Sequence, residues 1–346
     1  MLSLCNSYVS LDRPPTPSHL PVRIGKNTMN KLYNLLDIEL DESLFLQLMP
    51  EWKDITLDIS VLSGGITNKL YRIKSEKGDV ALRIYGDKTE LFINRDFEAD
   101  AIEKMADAGI SPKLIKYIPE YNVTIVEFIT GSYTLNNNDF LNEDLRERIV
   151  KPIRKIHESK VVLPKLFNPL VEVKKMAKIL TDLDVEYREF DIAGTIQCFE
   201  DLSQKINIPE SKYTASHNDL LAENFILVQD GHEDLYDEPM YIIDWEYAGM
   251  APRYYDIADM FQEILVPRDV EKSFVEYYCE GKEFDKNLYL IDMFKPFPDI
   301  YWFLWSLIQQ NISAIEFDFY NYGRVKYENA QKNIQFLKDE YRRAWV

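Results

Sequence analysis

Two hydrophobic periods alternate along this chain, and the point where one gives way to the other divides it. Ile55–Leu62, Lys69–Ile73 and Val80–Tyr85 alternate apolar and polar positions between turn clusters at Ser63-Gly64-Gly65-Ile66-Thr67-Asn68 and Lys77-Gly78-Asp79. That period of two predicts an antiparallel meander. Phe97, Ala101, Ile102 and Met105 then fall at helical spacing, predicting a helix from about Asn94 to Ala108 with Gly109 as its terminator. Two more strands are predicted at Lys113–Ile118 and Asn122–Phe128. Beyond Gly131 the pattern is mostly helical, interrupted by a hairpin from Phe225 to Asp244. At the other end, Pro14, Pro15, Pro17 and Pro21 punctuate a stretch without apolar periodicity, and Met29 is a candidate alternative start. Leu32, Leu35, Leu36, Ile38, Phe45 and Leu48 predict one or two helices before the first strand. The expected architecture is α+β and two-lobed. Residues 1–50 form an N-terminal extension, partly disordered and then helical. Residues 51–129 form a small β-rich N-lobe with one helix, and 130–346 a larger, mainly helical C-lobe.

Composition narrows the chemistry. Fifty-eight acidic against 40 basic residues give a formal charge of −18, which disfavours broad contact with nucleic acid or anionic lipid. Cys5, Cys198 and Cys279 are scattered, with no C-x-x-C, which argues against a disulfide scaffold or zinc site and fits a reducing compartment. No apolar run reaches the length of a membrane span, and the first residues lack a signal-peptide pattern. A cytoplasmic protein without stable membrane insertion is expected.

Candidate chemistry concentrates in the C-lobe. His217-Asn218-Asp219-Leu220-Leu221-Ala222-Glu223-Asn224 is followed by a strand ending Ile242-Ile243-Asp244-Trp245-Glu246-Tyr247. Singly, each of these acids reads as a turn residue. In this order and spacing, Asp219 can accept a hydroxyl proton while Asn224 and Asp244 offer hard oxygen ligands to Mg²⁺. The chain therefore reads as a small-molecule kinase using ATP and Mg²⁺, with Asp219, Asn224 and Asp244 as its catalytic set. In the N-lobe, the Ser63, Gly64, Gly65 and Asn68 bend can bring backbone N–H groups to phosphate. Arg83 ends an apolar strand, where it can reach phosphate and pair with Glu98 on the following helix. The backbone of the Glu127-to-Ile129 connector is placed to receive adenine. Trp302 and Trp305, three apart on an apolar helix, share a face that suits a cation, with Glu263 and Asp219 adding negative charge. A nucleotide-binding interaction module without transferase activity is the rival from another class, although every acid and amide for the chemistry is present.

Several segments, taken together, resemble the choline/ethanolamine kinases: SGGITNKL from Ser63, RIYGDKTELFINRDFE from Arg83, VEFITG from Val126, HNDLLAEN from His217, IDWEY from Ile243, YDIAD from Tyr255 and WFLWSLIQQNISAIEF from Trp302. The resemblance implies a protein-kinase-like two-lobed fold and ATP- and Mg²⁺-dependent phosphorylation of an amino alcohol, ethanolamine or choline. It implies Asp219 as the base, Asn224 and Asp244 as metal ligands and Arg83 as the phosphate-contacting cation. The substrate pocket falls on Glu263, Trp302, Trp305 and Tyr322. The N-lobe segments look closer to ethanolamine kinases. Asp259 stands where the family commonly has Asn, and Ile264 where an aromatic often follows the acid. Choline stays open as the acceptor, as does an aminoglycoside-phosphotransferase type of kinase, which the HxDxxxxN core alone would admit. A homodimer is also left open.

Overall fold

A computed structural model describes residues 39–62, 68–86, 92–313 and 316–341. The Ser63-Gly64-Gly65 bend, Met29 and the helical pattern before Glu39 lie outside the described residues. Helix α1 (Glu42–Leu48) starts at Asp41, whose side chain accepts the Leu44 N–H at 2.8 Å. Its Leu44, Phe45 and Leu48 are buried in the same apolar cluster as Trp52, Tyr71, Ile73, Leu82 and Ile125. The helix thus packs against the sheet that follows it.

That sheet contains β1 (Asp58–Leu62), β2 (Lys69–Lys74), β3 (Val80–Ile84), β4 (Leu114–Ile118) and β5 (Val123–Glu127) in the order β1-β2-β3-β5-β4, antiparallel throughout. Only the first three strands form the expected meander. Helix α2 (Arg95–Asp107) carries the chain away, so that β5 returns beside β3 and β4 takes the edge. In β3, Val80, Leu82 and Ile84 point into the core, so period two turns Arg83 to the opposite face. The buried stripe of α2 is Glu98, Ala101, Ile102 and Met105. Phe97, expected on that stripe, is exposed because it lies one position off the i, i+3, i+4, i+7 set. An acid, Glu98, occupies the buried place instead.

The connector is tightly pinned. Gly131 has φ +71°, and a Cβ there would lie 2.2 Å from His232 Cδ2, so only glycine fits. Tyr236 Oη accepts the Thr130 N–H at 2.6 Å. Arg72 pairs with Asp79 and lies over the Phe128 ring, while Thr130 Oγ1 donates to Asp79 at 3.2 Å.

Beyond it, β6 (Ser132–Thr134) joins β8 (Phe225–Val228) and β9 (Met240–Ile242), and β7 (Thr214–Ser216) pairs with β10 (Gly249–Ala251). The helices are α3 (Glu143–Glu158), α4 (Pro169–Asp182), α5 (Ile192–Ile206), α6 (Arg253–Ile264), α7 (Arg268–Cys279), α8 (Phe284–Phe294), α9 (Pro296–Ile312) and α10 (Phe319–Glu340). Strands β6, β7 and β10 are not predicted from the pattern: three residues display no period, and none of them, unlike the equally short β9, follows a longer predicted strand in a hairpin. Helix α9 is buried from Pro296 through Leu304 and is the spine of the lobe. α10 approaches it at Gly323, where a Cβ would meet Ser306 Oγ at 1.9 Å.

Candidate active site

The loop between β7 and β8 is suspended from helix α6. Asp256, fully buried, accepts the backbone N–H groups of His217 at 2.8 Å and Asn218 at 2.6 Å. It also accepts from His157 Nε2 at 2.9 Å, and His157 Nδ1 is hydrogen-bonded with the Tyr278 hydroxyl at 2.8 Å. One turn further along, Asp259 accepts the Leu220 N–H at 2.8 Å. Asn218 adopts φ +68°, a conformation Asn tolerates better than most side chains. His217 is a brace: its Nε2 donates to the Ile243 carbonyl at 2.9 Å, and its ring packs on Trp245.

The structure brings Asp219, Asn224 and Asp244 to one hairpin end. Asn224 Nδ2 donates to the Asp219 carbonyl at 2.8 Å, and the Asn224 carbonyl accepts the Ile243 N–H at 2.9 Å. Asp244 follows directly, with φ +71° and ψ +60°, which turns its side chain out of the strand path. Burial, then the neighbouring Asp259, Asp244, Glu263 and Glu246, push the Asp219 carboxyl well above the ordinary range. Burial also acts to raise Asp244, but the charge and hydrogen bond of Arg83 overcome it and hold that carboxyl below its usual value.

Arg83 reaches across from the N-lobe. Its Nη1 donates to Asp244 Oδ1 at 2.6 Å and lies 3.5 Å from Glu98, the acid expected as its partner. Glu98 is bonded more closely by Arg95, at 2.6 Å, and Arg95 also holds Glu246 at 3.0 Å. Ligand oxygens of Glu98, Asp244 and Glu246 lie within 4.8 Å of one another. Three carboxylates therefore share two guanidiniums, and burial followed by Asp244 and Glu98 pushes Glu246 up to about 8. Sequence reasoning missed Arg95 and Glu246. Their signals were present: Glu246 follows Asp244 by two, and Arg95 precedes Glu98 by three on one helix.

Around the connector, the Glu127 N–H donates to the Lys113 carbonyl and the Phe128 N–H to the Asp79 carbonyl. Ser132 Oγ donates to the Ile129 carbonyl at 2.6 Å. The Ile129 N–H meets no acceptor among the described residues. Asn68 is engaged within the N-lobe, where its Oδ1 accepts the Gly86 N–H at 3.0 Å.

The expected acceptor wall is assembled in part. Trp302 and Trp305 meet edge-to-face at 5.7 Å, Trp302 meets Tyr247 at 5.1 Å, and Trp305 meets Tyr322 at 6.5 Å. Glu263 is not a free acid: Lys326 Nζ donates to it at 2.5 Å and also lies 3.9 Å from Asp299. Its charge is therefore largely compensated from within the fold, which no local pattern could show. Ile264 is buried in the C-lobe core.

The choline/ethanolamine kinase family model matches residues 59–290. The chain belongs to the choline/ethanolamine kinase family. Members of this family are ATP-dependent phosphotransferases acting on amino alcohols. A probable ethanolamine kinase of Arabidopsis thaliana is 27% identical over 326 residues, covering 85% of this chain and 84% of that one. Probable choline kinase 1 of the same plant is 27% identical over 315 residues, covering 80% and 88%. The crystal structure of a choline/ethanolamine kinase family protein from Mesorhizobium loti superposes with a TM-score of 0.70 at 26% identity, over 84% of this chain and 92% of that one. The α+β, two-lobed, protein-kinase-like fold is thus that of its family. Among the described residues, no helix is long and apolar enough to cross a membrane.

Proposed function

We propose that this amino-alcohol kinase prefers ethanolamine to choline and carries out transfer with Asp219 as base and Mg²⁺ held by Asn224 and Asp244. The observation that carries the assignment of roles is the single hairpin end that gathers Asp219, Asn224 and Asp244 beneath Arg83. Asp219 orients the acceptor hydroxyl and takes its proton as the γ-phosphoryl moves in line. Arg83 and the Ile129 N–H serve the nucleotide, at its phosphates and its adenine edge respectively.

Magnesium fits the donor set. Asn224 spends its Nδ2 on the Asp219 carbonyl, so its Oδ1 is the atom available as a ligand, and Arg83 holds the Asp244 carboxyl below its usual value. Both are hard oxygen donors. When bound, the ion neutralises phosphate charge; the residues of this chain supply position.

Ethanolamine is favoured by the N-lobe segments, which look closer to ethanolamine kinases, and by an aromatic wall in which Trp302 and Trp305 meet edge-to-face. Glu263 is engaged by Lys326 and Asp259 by Leu220 and Trp302, so the wall itself, not a free acid, does the discriminating. A primary ammonium can also satisfy its three N–H donors with water and carbonyls, whereas a trimethylammonium has none and depends on ring faces alone. The free thiols Cys198 and Cys279 support a cytoplasmic location.

Purified protein assayed with ATP and Mg²⁺ should show a higher kcat/KM for ethanolamine than for choline. Asp219→Ala and Asp244→Ala should each lower kcat by at least about a hundredfold, the scale of general-base and charge-stabilising groups. Near-parental turnover in Asp219→Ala would remove it as the base. Equal or higher kcat/KM for choline would overturn the preference.

A further inference from the structure

We propose that Asp259 is a positioning residue for the transfer: its two carboxylate oxygens tie the backbone beside Asp219 to the indole of Trp302, fixing base and acceptor wall relative to each other. This rests on the kinase reading above. Asp259 is fully buried on α6, three residues after Asp256. One oxygen accepts the Leu220 N–H at 2.8 Å and the other accepts the Trp302 Nε1–H at 3.1 Å. The Leu220 N–H belongs to the same peptide unit as the Asp219 carbonyl, which accepts from Asn224 Nδ2 at 2.8 Å. That peptide plane is gripped on both edges and cannot rotate without breaking a buried hydrogen bond. The Asp219 side chain leaves directly from it.

A second path closes the circuit. Trp302 packs edge-on against Tyr247 at 5.1 Å, and the Tyr247 carbonyl accepts from Asn218 Nδ2 at 3.0 Å. Loop and wall are thus joined through Asp259 on one side and Tyr247 on the other.

A side chain of this size needs two oxygens to satisfy both donors, which only a carboxyl group supplies. Asparagine has one oxygen, so its NH₂ would face either the Leu220 N–H or the indole N–H. Burial and Glu263 raise the Asp259 carboxyl well above the ordinary range, and its bonds from Trp302 and Leu220 offset only part of that rise. Both groups bonded to its oxygens are donors, and a carboxyl presents an acceptor oxygen to each of them. The departure of this position from the family's common Asn therefore changes which bonds the site can make.

The test compares the parent, Asp259→Asn, Trp302→Phe and the double variant, each checked by thermal melting. Steady-state kinetics with ATP and ethanolamine, and with ATP and choline, are paired with the ¹⁵N indole signal of Trp302. Leaving one buried donor unmade predicts that Asp259→Asn lowers kcat about ten- to a hundredfold, with KM for ATP within about threefold of the parent. The indole N–H signal should shift upfield. Trp302→Phe keeps a ring and removes the indole donor, so in the Asp259→Asn background it should add almost nothing to the loss of kcat. If Asp259→Asn does not fold, Trp302→Phe decides alone: kcat should fall at least about threefold. Parental kcat in Asp259→Asn (or in Trp302→Phe, if that variant decides), an unmoved indole signal, or losses that multiply in the double variant would overturn the tie while leaving the kinase reading intact. A parent that phosphorylates neither amino alcohol would overturn that reading and this role with it.

Discussion

Replacing Asp256 separates the anchoring of the catalytic loop from its chemistry. Its carboxylate is fully buried and accepts three donors: the His217 and Asn218 N–H groups and His157 Nε2–H. Alanine would leave all three without an acceptor. A hydrogen bond to a charged group contributes about 1.5–3 kcal/mol, so the three together amount to about 4.5–9 kcal/mol. That approaches the whole stability of a typical domain, about 5–15 kcal/mol, and Asp256→Ala should fold poorly. Asp256→Asn is the informative variant. One oxygen, Oδ2, serves both His217 and His157, so an Asn with its oxygen there keeps two bonds and loses only that to Asn218. The expected loss is about 1.5–3 kcal/mol. Urea unfolding of parent and variant, extrapolated to water, measures it, with an unchanged m-value showing that the same surface is exposed. Turnover should fall more steeply than stability, because Asp219 follows Asn218 directly. A loss below about 0.5 kcal/mol, within the range of ordinary surface substitutions, would show that this carboxylate does not hold the loop.

Two other substitutions probe separate features. Asp299 is buried, its Oδ1 accepts no hydrogen bond and Lys326 Nζ lies 3.9 Å from it; burial, opposed by Lys326 and reinforced by Glu263, raises its carboxyl well above the ordinary range. The native state therefore keeps a proton that the unfolded chain has already released, and stability falls as pH rises from the ordinary Asp range through the raised value. Asp299→Asn should flatten that decline in Tm–pH curves; parallel curves for parent and variant would refute it. Gly131→Ala combines φ +71° with a 2.2 Å encounter with His232. The backbone conformation alone costs about 1–2 kcal/mol, so Tm should drop and KM for ATP should rise, with His232→Ala restoring only part of the loss. Parental Tm and KM would refute the pinned connector.

Period-two alternation marked β1 to β5, and helical spacing marked α2, because both signals are local and long enough to repeat. The ordered His217-to-Asn224 and Ile243-to-Tyr247 segments disclosed the kinase chemistry, since the spacing of a loop between strands is itself a sequence property. Strands β6, β7 and β10 were not legible, nor was the place of β5 between β3 and β4, because pairing partners are chosen by the sheet as a whole. The charge network was the least visible. Arg83 and Asp244 are 161 residues apart, and Arg95 and Glu246 are 151 apart. Lys326, 63 residues from Glu263, neutralises an acid that reads as free in the primary structure. Sequence alone determined the elements and the order of reactive groups, which short-range sterics and periodic burial dictate. Tertiary structure decided which of those charges meet, because a buried ion pair forms only where packing brings distant segments within a few ångströms and shuts out water.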